Sequence, residues 1–364
     1  MIFGYILLLM LCVSRMTYRH SGFNTEFMEK HQCNVVKGIG IFLVFWGHMQ
    51  GYLVAAGYYN VPHFGDSIFR FVDKYFIDQL MVVMFLFYSG YGVMERVKVS
   101  GVEYVQSMPK RRILRTLVNF DIAVLAFAIL GLFLGNEISV KRILPALTGW
   151  TSLGNSNWYV FVIILCYVIM YVSFHPKCFW STNRFSFMML FFLMSVTMLV
   201  LMFVKKDSPW WYNKLMVFPF GVLWSVSKEK LLPYIKKHYF QVVTCTIFAF
   251  ALTYLIPWAE HQFYISDAFR YNVRSCLFAA SVVLILMKVK MQNSVLEWLG
   301  RNLFPIYIYQ RIPMMFISLK FGADFLCRYT WAYVGISITV TLLFAYLYRW
   351  IEIKNIGANK VIRA

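Results

Sequence analysis

Long apolar runs alternate with short polar or basic connections along the whole chain. A helix needs about 20 mainly apolar residues to cross the hydrocarbon core of a bilayer, and most of the runs reach or approach this length. The pattern therefore predicts an all-α fold, a polytopic transmembrane bundle of about 10–11 spans. The spans centre on Ile2–Val13, Val35–Val54, Phe76–Met94, Ile113–Leu134, Trp158–Phe174, Phe187–Val204, Leu215–Val226, Phe240–Trp258, Val273–Met287, Leu303–Leu319 and Trp331–Trp350.

Composition supports this interpretation and limits the kinds of partner that the protein is expected to have. Of the 364 residues, 60% are hydrophobic and only 14% are charged, whereas soluble domains carry roughly a quarter charged residues. The net charge of +19 raises the question of nucleic acid. Because the basic residues lie in clusters between apolar runs and not along one soluble face, we expect a lipid bilayer and no nucleic acid as partner.

The basic residues also predict an orientation. With eleven spans, 23 Lys and Arg fall in the connections on one side and 11 on the other, with Arg311 inside a span. The positive-inside rule then places the N-terminus outside and the C-terminus in the cytoplasm. We expect a single transmembrane domain over residues 1–364, with an extra N-terminal span within residues 1–18.

His48 is the strongest catalytic candidate. It follows Lys37, at the expected cytoplasmic edge of the second span, by eleven residues, which corresponds to a depth of roughly 16 Å. A neutral imidazole at this depth can take a proton from a hydroxyl or carry an acyl group. The alternative is a histidine that only forms a hydrogen bond between helices.

A dense basic cluster precedes the fourth span at residues 108–115. Such clusters commonly determine topology or anchor phospholipid headgroups. The functional alternative is recognition of a phosphorylated ligand such as coenzyme A, because guanidinium groups bind phosphate oxygens in a bidentate manner. Arg112 and Arg115 are one α-helical turn apart, so we expect both to address one ligand.

Other polar residues lie within or beside predicted spans, where they need a partner or a wet cavity. Asp121 either assists the site or is a structural partner, for example of His48. Gln310 and Arg311 interrupt the tenth span. Trp158 and Tyr159 suit either interface anchoring or stacking on a sugar. The seven cysteines have no metal-binding spacing, so we expect no metal.

Several of these residues together resemble the acyltransferase 3 family of integral-membrane O-acyltransferases, over about residues 34–350. Three positions depart from the family pattern: Lys37 replaces Arg, Gln310 replaces His and Asn34 replaces Asp. The similar segments are Lys37-Gly38-Ile39 with His48 after its usual spacing, Phe85–Gly92, the pair Arg112 and Arg115, Asn157-Trp158-Tyr159, Leu299-Gly300, and Tyr307–Gln310.

The resemblance implies transfer of an acetyl or other acyl group from cytoplasmic acetyl-CoA or another acyl-CoA to a hydroxyl of a cell-surface glycan or lipid-linked sugar, at a bacterial inner membrane. It also implies that Lys37, Arg112 and Arg115 hold the CoA phosphates, and that His48 acts as base or acyl carrier. Gln310, with Trp158 and Tyr159, then contacts the acceptor. Two alternatives remain open: a transporter or flippase for a glycan or small solute, and a non-catalytic relative that only binds a glycan.

Overall fold

The fold, seen in a computed structural model, is almost entirely helical, as the sequence predicts. The structure describes residues 2–61, 65, 70–72, 80–175, 184–255 and 264–361. The helices are α1 (Ile2–Val13), α2 (Lys30–Ala55), α3 (Val83–Met108), α4 (Arg115–Phe133), α5 (Val140–Leu147), α6 (Trp158–Phe174), α7 (Arg184–Val204), α8 (Val217–Lys237), α9 (Tyr239–Leu255), α10 (Tyr264–Leu286), α11 (Ser294–Arg301), α12 (Leu303–Tyr309), α13 (Arg311–Arg328) and α14 (Thr330–Val361).

Several of these helices are suited to cross a membrane. In the described part of the chain, five helical stretches are long and apolar enough, or six if α8 and α9, bent by 105°, form one span. One stretch, Val83–Phe133, has 51 residues. At 1.5 Å per residue it exceeds twice the thickness of the hydrocarbon core. The chain is therefore a multi-pass membrane protein, while the count of eleven spans stays a prediction.

That long stretch is interrupted in two places. Gly101 has left-handed geometry (φ 52°, ψ −136°), which a residue with a side chain rarely adopts. Beyond it, residues Pro109–Leu114 form a π-helical segment between α3 and α4. The third predicted span began at Phe76, and its first residues, like the end of the eighth at Trp258, lie outside the described residues.

The second predicted span, now α2, packs very closely against the short helix α11. A Cβ atom at Gly38 would overlap the backbone carbonyl of Leu296, and one at Gly300 would overlap that of Asn34. Small residues allow helix backbones to approach this closely within a membrane. The glycines of two separate sequence motifs thus form one contact that fixes α2.

A second glycine pair joins α3 and α8. A Cβ at Gly90 would overlap the carbonyl of Phe218, and one at Gly221 would overlap that of Phe87. The Ser-Gly segment of the third span therefore serves helix packing at Gly90. Phe87 of α3 lies at this contact and Phe85 faces Gly40 of α2, and both are among the largest fully buried side chains.

The connections that were predicted to share the cytoplasmic side contact one another. A two-stranded antiparallel sheet pairs β1 (Met16–Tyr18) with β2 (Val289–Met291). Beside it, Lys290 donates to Glu26, and this hydrogen bond lowers the pKa of the Glu26 carboxyl group. These contacts tie the connection after α1 to the one after α10.

Candidate active site

Two cavities lie one after the other along the antiparallel pair of α2 and α3. The basic cavity, of about 570 Å³, opens at the N-terminal half of α2. The His48 cavity, of about 410 Å³, opens at the C-terminal half. The basic cavity is lined by residues that include Lys30, Cys33, Lys37, Tyr88, Ser89, Glu95, Arg96 and Arg112. The His48 cavity is lined by residues that include Val44, His48, Asn155, Trp158, Trp210, Lys214, Tyr307 and Arg311.

The basic cavity collects positive charge that forms no ion pair within the described part of the chain. Its one described carboxylate, Glu95, accepts from Lys98 Nζ at 2.8 Å and from Lys228 Nζ at 3.0 Å, so it is already paired outside the cavity wall. None of the ion pairs between described residues includes the four cations of the wall, which are Lys30, Lys37, Arg96 and Arg112. Such a cavity is suited to an anionic ligand.

Aromatic residues hold two of these cations in place. Lys37 Nζ lies 5.6 Å from the centre of the Tyr88 ring. Arg112 Nε donates to the hydroxyl group of Tyr104 at 3.0 Å, and its guanidinium carbon lies 5.9 Å from the centre of the Tyr167 ring. A fixed guanidinium that keeps free donors is pre-organised to bind phosphate.

Arg115 does not share this cavity, contrary to the expectation that it and Arg112 address one ligand. It pairs with Glu352 and lines a different groove, of about 700 Å³, with Lys110 and Arg111. The reason is the π-helical segment before it. An i→i+5 turn holds more residues than an α-helical turn, so positions three apart no longer lie above one another.

His48 forms one wall of the second cavity, and its ring is half-buried. The imidazole lies beside the side chains of Gln310 and Arg311, at the junction of α12 and α13. Its Nδ1 atom is buried and has no hydrogen-bond partner in the described part of the chain. A ring nitrogen in this position can exchange a proton with a ligand in the cavity.

Gln310 supports His48 and does not line the cavity. It is fully buried, and its Nε2 donates to the carbonyl of Tyr307 at 3.1 Å. Its Oε1 is buried and has no hydrogen-bond partner among the described residues. Its place beside the imidazole is that of a positioning residue, and a direct contact of Gln310 with the substrate stays a prediction.

The far wall of the His48 cavity comes from two connections. Trp158 begins α6, and Asn155 precedes it with a buried Nδ2 that lacks a partner in the described residues. Lys214, only 3% exposed, lies with its Nζ 5.2 Å from the Trp158 ring centre, while Trp210 is 44% exposed. The wall thus combines indole rings with hydrogen-bond donors.

Tyr159 lies between the two cavities and not on the wall where it was expected to meet a substrate. It is buried, and its ring centre lies 6.0 Å from that of Phe85 and 5.3 Å from that of Tyr307. Its side chain also interacts with Ser89 of the basic cavity. Tyr159 thus connects Ser89 on one side with Tyr307 on the other.

Asp121 is not brought to His48. It lies on α4, does not line the His48 cavity, and its buried Oδ1 has no hydrogen-bond partner within the described ranges. The suggested pairing with His48 is absent, so a catalytic role for Asp121 stays a prediction without structural support. In the described part of the chain, no group of three or more His, Cys, Asp or Glu side chains could hold a metal ion.

Sequence reasoning missed several residues of the His48 cavity. Lys214 counted only as a charge in a connection, and Trp210 and Asn155 received no role. A lysine between a Trp-rich turn and an apolar run is only a weak sign of a functional site, because residues that anchor a helix at the membrane–water interface commonly show the same pattern. Arg311 was noticed as a cation within a span, and the structure places it on the cavity wall.

Comparison with protein families explains this arrangement. A family model described as an acyltransferase domain matches residues 31–350, so the chain is a membrane acyltransferase. It belongs to the acyltransferase 3 family. No curated protein and no solved structure matches the chain.

Proposed function

We propose that this protein moves an acetyl or other acyl group from acyl-CoA to a hydroxyl of a glycan or lipid-linked sugar. The basic cavity supports acyl-CoA as the donor, because its four wall cations have no carboxylate partner in the described chain. Coenzyme A bears a diphosphate and a ribose phosphate, and charge-assisted hydrogen bonds to phosphate are strong and specific. Lys37 and Arg112 are the residues best placed to bind them.

The geometry supports a passage of the thioester from one cavity to the other. Lys37 and His48 lie on the same helix, eleven residues apart, which corresponds to roughly 16 Å of helix rise. A donor bound by its phosphates in the basic cavity extends its pantetheine arm past the layer of Phe85, Tyr159 and Tyr307. The thioester then meets the acceptor beside His48.

His48 serves the reaction through its ring nitrogen. As a general base it takes the proton of the acceptor hydroxyl while the hydroxyl oxygen attacks the thioester carbonyl. The carbon–sulfur bond then breaks, and the imidazolium returns the proton to the CoA thiolate. As an acyl carrier, the other form of the proposal, His48 attacks the thioester carbonyl and the carbon–sulfur bond breaks to release CoA thiolate. The acceptor hydroxyl then attacks the acyl-imidazole, the carbon–nitrogen bond breaks, and the proton of the hydroxyl passes to the CoA thiolate, which leaves as the thiol.

The acceptor belongs in the His48 cavity. Its indole rings, Trp158 and Trp210, suit stacking on a sugar ring, and the nearby amides of Asn155 and Asn157 suit its hydroxyl groups. We place the basic cavity and the C-terminus on the cytoplasmic side, at a bacterial inner membrane, because the basic connections gather on that side. The acceptor then approaches from the opposite side.

The test is release of free CoA thiol from acetyl-CoA by purified protein supplied with a cell-envelope glycan extract. We expect turnover by the wild type and a fall of about 10²- to 10⁴-fold in His48→Ala, the range typical of a general acid–base residue. The matched control is His238→Ala, because His238 lies between α8 and α9, outside both cavities.

A labelling experiment separates the two forms of the mechanism. Brief incubation with radiolabelled acetyl-CoA and no acceptor leaves label on the wild-type protein, but not on His48→Ala, if His48 carries the acyl group. Undiminished CoA release by His48→Ala would contradict the proposal in both forms.

A further inference from the structure

The His48 cavity is rich in hydrogen-bond donors and cations. Arg311 and Lys214 both line it, and none of the described residues of its wall is acidic. Arg311 is central, because it has no ion pair with any described residue and its Nε is a buried donor without a partner there. The Nδ2 of Asn155 is a second buried donor on the wall that has no partner among the described residues.

A guanidinium within a membrane protein requires an anion, a carbonyl or a wet cavity. Among the described residues Arg311 has a weak contact with Tyr52, since its guanidinium carbon lies 5.7 Å from the centre of that ring. This distance allows a cation–π interaction but satisfies none of the N–H donors. The planar donor fork therefore remains available to a ligand in the cavity.

We infer that the acceptor is an anionic glycan, whose carboxylate or phosphate group is bound by Arg311. This inference rests on the proposed function, because it names the class of acceptor for the same site. The anion accepts from the guanidinium, and Asn155 Nδ2 supplies another donor. Arg311 adjoins the imidazole of His48, so the anchored anion holds a neighbouring hydroxyl of the sugar against the ring nitrogen.

A neutral glycan lacks this anchor. It can stack on Trp158 and Trp210, but it leaves the Arg311 donors unsatisfied, and an unpaired buried polar group weakens binding. A site built around a charge therefore discriminates strongly against the uncharged analogue.

Binding of simple sugars tests the inference without turnover. The probes are glucuronate, glucose 6-phosphate and glucose, and binding is followed by the fluorescence of the cavity tryptophans in the purified protein. We expect at least one charged sugar to bind at least tenfold more tightly than glucose, a factor that corresponds to about 1.4 kcal/mol. We expect Arg311→Gln to remove the difference and Arg311→Lys to keep part of it.

The control is Arg142→Gln, which removes the same charge from an exposed residue of α5 and should keep the wild-type preference. Equal binding of charged and neutral sugars by the wild type would overturn the inference. So would a preference that survives in Arg311→Gln.

A second assay separates this inference from the proposed function. CoA release is measured with the envelope glycan extract before and after chemical reduction of its carboxyl groups, and after removal of its phosphates. A large loss of turnover after one treatment supports an anionic acceptor. Equal turnover after both treatments overturns it, whereas charge-selective sugar binding without CoA release under any condition contradicts the proposed transferase reaction alone.

Discussion

The basic cavity and the His48 cavity lie on the same helix pair, yet they use positive charge differently. In the basic cavity four cations line the space, and aromatic residues contact the two that are half-buried, Lys37 and Arg112. In the His48 cavity the cations lie among indole rings and the amide of Asn155, whose Nδ2 has no partner among the described residues, and His48 is the group that can exchange a proton. The first arrangement suits a ligand with several phosphates, and the second suits a sugar that must be oriented.

The largest effect that would sharpen this comparison concerns Arg112 and Arg115. Arg112→Gln removes a guanidinium from the basic cavity and should raise the KM for acetyl-CoA by about 10- to 100-fold, since a hydrogen bond to a charged group contributes about 1.5–3 kcal/mol. Arg115→Gln removes the same charge three residues away, but on the side that faces Glu352. It should leave that KM unchanged, as steady-state kinetics would show.

Equal rises of KM in the two variants would mean that both arginines reach the donor. The π-helical segment would then not separate them in the working enzyme, and the distinction between the basic cavity and the neighbouring groove would fail.

A smaller effect concerns the helix that both cavities share. Gly38→Ala places a methyl group against the backbone of α11 and should lower the free energy of unfolding by about 1–3 kcal/mol, the usual cost of overpacking. Gly51→Ala is the control, because a Cβ at this exposed position of α2 meets nothing within 4 Å. Thermal unfolding in detergent measures both variants.

If Gly38→Ala and Gly51→Ala unfolded at the same temperature, the close contact between α2 and α11 would not stabilise the protein. The position of α2 would then have to be fixed by its other neighbours, which include α3, α12 and α13.

The smallest effect concerns Gln310, which does not line the His48 cavity itself but lies beside the imidazole of His48. Gln310→Ala should lower kcat by about 2- to 10-fold, the value of one ordinary hydrogen bond, and leave the KM for acetyl-CoA unchanged. The control Gln292→Ala alters an exposed glutamine beyond β2. A rise in the KM for acetyl-CoA in Gln310→Ala would show that the residue acts at the basic cavity instead.

Parts of the site were predictable because their signals are local. His48 is visible as an ionisable residue deep in an apolar run, and Lys37 is visible at the edge of the same run. Their separation follows from helix rise alone. The predicted location of Arg115 was wrong because it assumed α-helical spacing. No feature of the sequence of residues 108–115 indicates a π-helical turn.

The sequence by itself determined that the protein is a helical membrane bundle, that it belongs to an acyltransferase family, and that His48 is an ionisable residue within an apolar span. These conclusions follow from the apolar content and from the spacing of residues along the chain, and neither depends on which residues meet in the folded protein. Only the tertiary structure decided that Lys37 shares a cavity with Arg112, that Gln310 and Arg311 adjoin His48, and that Lys214 lies on the cavity wall. The reason is that a cavity is formed by residues far apart in the chain, whose meeting depends on backbone contacts such as that between Gly38 and Leu296.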